Sequence, residues 1–126
     1  MGNLKLPEGY QTIMPYLIIK DAVGFFKFVQ AVFGGVEKHL SRNDDNSIMH
    51  GEVFIDGSTI MFAEASHNYT TQNAGLYINV ANCDETYLKA LANGAKKILE
   101  PANKEYGRSA GVTDPFGNTW WITSAI

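Results

Sequence analysis

The sequence predicts an α+β fold built from two βαβββ modules, and three observations carry that prediction. Near the start, an apolar β-branched run leads into an amphipathic helix. Two further apolar runs flank Asp56-Gly57, a strong hairpin signal. The same order then returns in the second half of the chain. At 126 residues this is one domain. Module one covers about 10–65, a polar connector 66–73, and module two about 74–126.

The elements follow in order. Thr12–Lys20, TIMPYLIIK, is apolar and β-branched and reads as a strand. Asp21 caps a helix in which Ala22, Phe25, Phe26, Val29, Val32 and Phe33 recur at three- and four-residue spacing. Gly34-Gly35 stops it. VEKHLSR is a strand, NDDNS a loop, and IMHGEVFI-DG-STIMFAEA a hairpin. In the second half GLYINVA is a strand, and Asp84 is expected to cap a helix carrying Tyr87, Leu88 and Leu91 that ends at Gly94. Strands in KKILEPANKE and RSAGVT follow. The chain closes on DPFGNTWWITSAI, where turn residues precede a β-branched, aromatic strand. Aligned on the first module, VFIDGSTIMF lies over GVTDPFGNTWWI with a two-residue insertion in the turn.

Composition narrows the function classes. Ten Lys+Arg against 13 Asp+Glu give a formal net charge of −3 without a basic cluster, which argues against nucleic acid or an anionic membrane as partner. No apolar run approaches the ~20 residues of a membrane helix, and MGNLKLPEGY lacks a signal-peptide stretch. The single Cys83 permits no internal disulfide, so a cytoplasmic location is expected, and Asn68-Tyr69-Thr70 reads as a chance glycosylation match. Phosphate loops, HExxH, GxSxG and CxxC are absent from the sequence.

The doubled unit, PYLIIKDA entering a Phe-rich helix that ends in VFGG, and the closing DPFGNTWWI resemble the glyoxalase / bleomycin-resistance / extradiol-dioxygenase superfamily, whose members are also called vicinal oxygen chelate proteins. The hairpin MHGEVFIDGSTIMFAEA looks most like the PhnB-like branch. The resemblance spans about residues 12–126. It implies a half-open, cup-like eight-stranded mixed sheet with helices outside, and relatives commonly form homodimers. In metal-dependent members four ligands stand on the inner face, on the first and last strand of each module. Those places here are Met14, Met61, Gly75 and Trp121, a set without hard donors, so neither a metal nor another cofactor is expected.

Strand parity sorts the faces independently. Around Asp56-Gly57, Phe54 pairs with Thr59, Glu52 with Met61 and His50 with Ala63. Val53, Ile55, Ile60 and Phe62 then cover the helix. The cup receives Met14, Tyr16, Ile18, His50, Glu52, Phe54 and Met61, with Tyr77, Asn79 and Trp121 from module two. The alignment makes Arg108 the repeat equivalent of His50. Trp120 belongs to the helix-facing core.

Together these readings point to a metal-free binding protein, more than an enzyme, that takes a partly apolar or aromatic small molecule. Tyr16, Phe54, Met61, Tyr77 and Trp121 supply contact area, while His50, Glu52 and Arg108 orient polar groups. An enzyme using His50/Glu52 acid–base chemistry or a non-standard metal site on the same scaffold is the alternative, and a dimer without ligand a third. Each site residue also has a plainer reading: packing of a collapsed cup, a dimer interface, or a structural histidine.

Overall fold

The computed structural model describes residues 2–126. Its elements are β1 (Tyr16–Ile19), α1 (Ala22–Phe33), β2 (Val36–Arg42), β3 (Ile48–Ile55), β4 (Ser58–Glu64), β5 (Gly75–Asn79), α2 (Cys83–Ala92), β6 (Lys96–Lys104), β7 (Gly107–Thr113) and β8 (Thr119–Ser124). They form two mixed sheets of four, ordered β1-β4-β3-β2 and β5-β8-β7-β6. This is the doubled βαβββ unit, with no closed barrel.

Local chemistry explains the boundaries. The first strand is shorter than predicted because Pro15 has no N–H to give; its carbonyl instead accepts from Met61 N at 2.9 Å. Asp21 sits in the left-handed region (φ 70) and its side chain accepts from Gly24 N, while Glu64 accepts from the Asp21 and Ala22 amides. Three donors at the start of α1 are thereby satisfied. Helix α2 begins two residues earlier than expected. Asn82, not Asp84, is the cap and accepts from Glu85 N at 3.0 Å.

The Asp56-Gly57 turn fixes the hairpin register as the sequence predicts, with Phe54 opposite Thr59 and Glu52 opposite Met61. In β2–β3 a bulge lies between Ser41↔His50 and Arg42↔Ile48. It keeps Ile48 in the core and turns Met49 out. In module two, Asp114 organises the longer turn. Its two carboxylate oxygens accept from Phe116 N, Asn118 N, Asn118 Nδ2 and Trp120 Nε1 at 2.9–3.0 Å.

One core joins both modules. Phe25 and Phe26 pack on Phe62, whereas Phe33 reaches Trp120 at 4.4 Å between ring centroids, and Phe25 and Phe28 meet Phe116 edge-on. Fully buried side chains such as Phe25, Phe62 and Ile122 each contribute about 1.5–3 kcal/mol. The modules meet through α1 and α2, and among the described residues no strand of one sheet hydrogen-bonds to a strand of the other. Both sheets bury their helix-side faces in this common layer, so their opposite faces lie away from the shared core, and a cavity of about 420 Å³ between the modules is lined by Gln11, Pro15, Ile60, Leu76, Tyr77 and Trp120 among others.

Candidate functional site

The outward face of module one is polar at its centre. Tyr16, on β1, donates or accepts through its hydroxyl at 3.0 Å from His50 Nδ1. On β3, His50 Nε2 lies 2.9 Å from Glu52 Oε2, and Tyr10 donates to Glu52 Oε1 at 2.7 Å. Glu52 is only 7% exposed. Burial by itself raises its pKa, but the bonds from Tyr10 and His50, with the His50 and His39 charges, outweigh that and hold it below the ordinary range. Glu52 is therefore a carboxylate, with both oxygens occupied. The hydroxyl of Tyr16 is pushed up, by burial first and then by the charge of Glu52.

Two irregular segments border this centre. On one side Gly9, Tyr10 and Gln11 lie over β3 and β4. The carbonyl of Gly9 accepts from Thr59 Oγ1 at 2.7 Å, and Gln11 Nε2 donates to Thr59 O at 2.9 Å. Lys38 reaches across to the Glu8 carbonyl and stands over the rings of Tyr10 and Phe54. On the other side the connector shelters a cavity of about 670 Å³ lined by Tyr16, Ile18, Met49, Glu64, Tyr69 and Gln72 among others. None of the residues lining it comes from module two.

The corresponding face of module two is aromatic and open. Tyr77 pairs with Trp121 as Tyr16 pairs with Met61, and they are 56% and 37% exposed. The Trp121 ring lies over Gly111, where an added Cβ would meet it at 2.6 Å. Gly111 faces Trp121 just as Glu52 faces Met61. One module thus presents a carboxylate and the other a bare backbone covered by an indole.

Seven of the eight predicted site residues lie on these two outward faces: Tyr16, His50, Glu52, Phe54 and Met61 on one, Tyr77 and Trp121 on the other. Arg108 does not. It pairs with Ser124, on the side of Val112, Ala110 and Trp120, and its guanidinium binds Asp84 at the start of α2, with Nη2 to Oδ2 at 3.0 Å. The repeat partner of His50 is Ser109, whose hydroxyl shares a buried 3.0 Å hydrogen bond with Thr123. Phe54↔Thr59 matches Thr113↔Thr119, so the second turn is one residue longer than the first, not two. A slip of one residue moves a side chain to the opposite face. Sequence reasoning also missed Tyr10, which belongs to no periodic element.

The four places that bear metal in other members do not fit a hard metal here. Met14 and Met61 offer thioethers, Trp121 an indole and Gly75 open space. Among the described residues no group of three His, Cys, Asp or Glu side chains converges to replace them. Nor is any helix of the described residues long and apolar enough to cross a membrane.

A model of the family described as "Glyoxalase/Bleomycin resistance protein/Dioxygenase superfamily" matches residues 11–122. An uncharacterised protein of Mycobacterium bovis is 25% identical over 126 residues, covering 90% of this chain and 83% of the relative. Among solved structures, TnmS3, titled an antibiotic binding protein from Streptomyces sp. CB03234, superposes with a TM-score of 0.70 at 15% identity, covering 92% of this chain and 99% of its own. A PhnB protein from Bacillus cereus, titled a putative 3-demethylubiquinone-9 3-methyltransferase, gives 0.73 at 21%, covering 91% and 100%. At such identities these likenesses establish the fold.

Proposed function

The chain belongs to the glyoxalase/bleomycin resistance protein/dioxygenase superfamily, and from that premise we propose that it binds a partly aromatic small molecule, without metal, in a cup shared by two copies of itself. The observation that supports this reading is that both half-sites lie on sheet faces turned away from the shared core. Contacts between the modules run through helix-side residues, Phe33 with Trp120 and Phe25 and Phe28 with Phe116, whereas Tyr16, His50 and Glu52 bond to one another and to Tyr10 within module one. A twofold dimer lays module one of one chain against module two of the other, twice. Each cup then has a polar wall and an aromatic wall, and the exposed Tyr16, Val36, Met49, Tyr77 and Leu99 lose their contact with water. The resemblance to an antibiotic-binding protein is consistent with such a site.

The His50–Glu52 contact favours a second reading, acid–base catalysis. Both ring nitrogens of His50 are already engaged, by Tyr16 and Glu52, so a substrate proton reaches it only by replacing the Tyr16 hydroxyl. This supports binding over turnover.

Subunit mixing tests the proposal. Aromatic small molecules are screened by calorimetry, and Tyr16→Ala and Trp121→Ala are each expected to abolish binding of a hit. Mixing the two variants and allowing exchange regenerates one intact cup in every mixed dimer, about a quarter of all cups. No recovery on mixing, or a monomeric mass at millimolar protein, refutes the shared cup. One equivalent of a divalent metal carried through purification refutes the metal-free reading.

A further inference from the structure

Within the cup just proposed, one occupant is already present. Tyr10 reaches the face of β3 from a segment that belongs to neither sheet, and its hydroxyl takes one oxygen of the least exposed carboxylate on that face. The segment is held by polar contacts: Gly9 O and Gln11 on Thr59, Glu8 O on Lys38, and a turn from Tyr10 N to Pro7 O at 3.1 Å. Its residues up to Glu8 are exposed, and Gly9, Tyr10 and Gln11 are half-buried. None of them joins the apolar core. A segment tied by hydrogen bonds at the surface, without buried apolar anchors, opens at little free-energy cost. Thr59 and Glu52, which it covers, are polar and accept water when it leaves.

We propose that Pro7–Gln11 is a displaceable strap, and that the ligand of the cup is an aromatic molecule bearing a hydroxyl or N–H donor that takes the place of Tyr10 on Glu52. The strap acts as an internal competitor. It keeps Glu52 bonded while the cup is empty and withdraws when a phenol-like group arrives. This rests on the binding reading above and narrows its ligand class.

The test needs no knowledge of the natural ligand, because p-cresol has the chemistry of the tyrosine side chain. Tyr10→Ala is expected to bind p-cresol at least tenfold more tightly than the unaltered chain, followed by the backbone amide shifts of Glu52 and Phe54. Toluene, without the donor, gains nothing. Tyr10→Phe keeps the ring but loses the donor, and hydrogen exchange over Glu8–Gln11 is expected to rise at least tenfold while β3 and β4 are unchanged. In the unaltered chain that segment exchanges at least a hundredfold faster than β3. Equal affinity of p-cresol for Tyr10→Ala and the unaltered chain overturns the proposal, as does equal gain for toluene, or strap exchange as slow as that of β3. If any of these occurs while mixed dimers still recover binding, the strap falls and the shared cup stands.

Discussion

Trp120 and Trp121 are neighbours in sequence, and replacing each by alanine is expected to have very different consequences. Trp120 is 1% exposed, packs on Phe33 at 4.4 Å and donates from Nε1 to Asp114 Oδ2 at 2.9 Å. Its removal leaves a cavity where α1 meets module two and takes one donor from a buried carboxylate. Large-to-alanine changes of this kind cost about 3–5 kcal/mol. At about 4 °C per kcal/mol for a chain of this size, Tm falls by roughly 12–20 °C. Trp120→Phe keeps much of the ring and separates out the hydrogen bond to the carboxylate, about 1.5–3 kcal/mol. Trp121 is 37% exposed and lies on Gly111. Water fills what its ring vacates, so Trp121→Ala costs no more than about 2 kcal/mol, and that cost grows with protein concentration if the ring is covered by a second copy. Urea and thermal unfolding of the variants at two concentrations give these numbers. Equal losses at the two positions refute the reasoning, because they mean that the outward face is packed like a core.

Two further outcomes follow from titratable groups. The pKa of Glu52 is lowered in the folded chain from an ordinary value of 4.5, so its contribution is present above that value and is lost as pH falls through the folded value. Glu52→Gln is therefore expected to flatten the acid side of the stability–pH curve; identical slopes for both proteins count against the Tyr10–Glu52–His50 arrangement. The Cys83 thiol is pushed up, by burial first and then by Asp84, and is 1% exposed, with Sγ donating to Ile122 O at 3.3 Å. It is expected to react with a disulfide reagent at pH 8 only as fast as the chain opens, and stoichiometric labelling within seconds disproves that.

The elements were legible because their signals are local. The helix in module one announces itself by apolar spacing, and Asp56-Gly57 sets a register that parity carries correctly through Phe54–Thr59 and Glu52–Met61. Trp120 and Trp121 sort correctly for the same reason. Arg108 did not, since its face depends on the length of the second turn, where five residues (114–118) between Thr113 and Thr119 admit more than one alignment. Asp84 has the chemistry of a helix cap, and nothing in the sequence shows that Arg108 holds it instead. Tyr10 meets a carboxylate 42 residues away from a stretch with no periodicity, and nothing in the sequence marks such a contact. The relation between modules was hidden too. Parity gives each sheet two faces with apolar residues on both, and only three-dimensional packing decides which of them meets the other module.

The two hairpin turns have very different tolerance for change. Asp56 and Gly57 are exposed, take up positive φ (40 and 95), and nothing stands within 4 Å of a side chain added at Gly57. A tag or a foreign loop grafted there disturbs little beyond the turn itself. The turn at 114–118 has no such freedom, because a single carboxylate ties two of its amides, an amide side chain and an indole together. Any added residue has to break that knot, and with it the seat of Phe33. For a library that aims to reshape this protein, diversity belongs at the first turn, while the second is best carried over unchanged from one variant to the next.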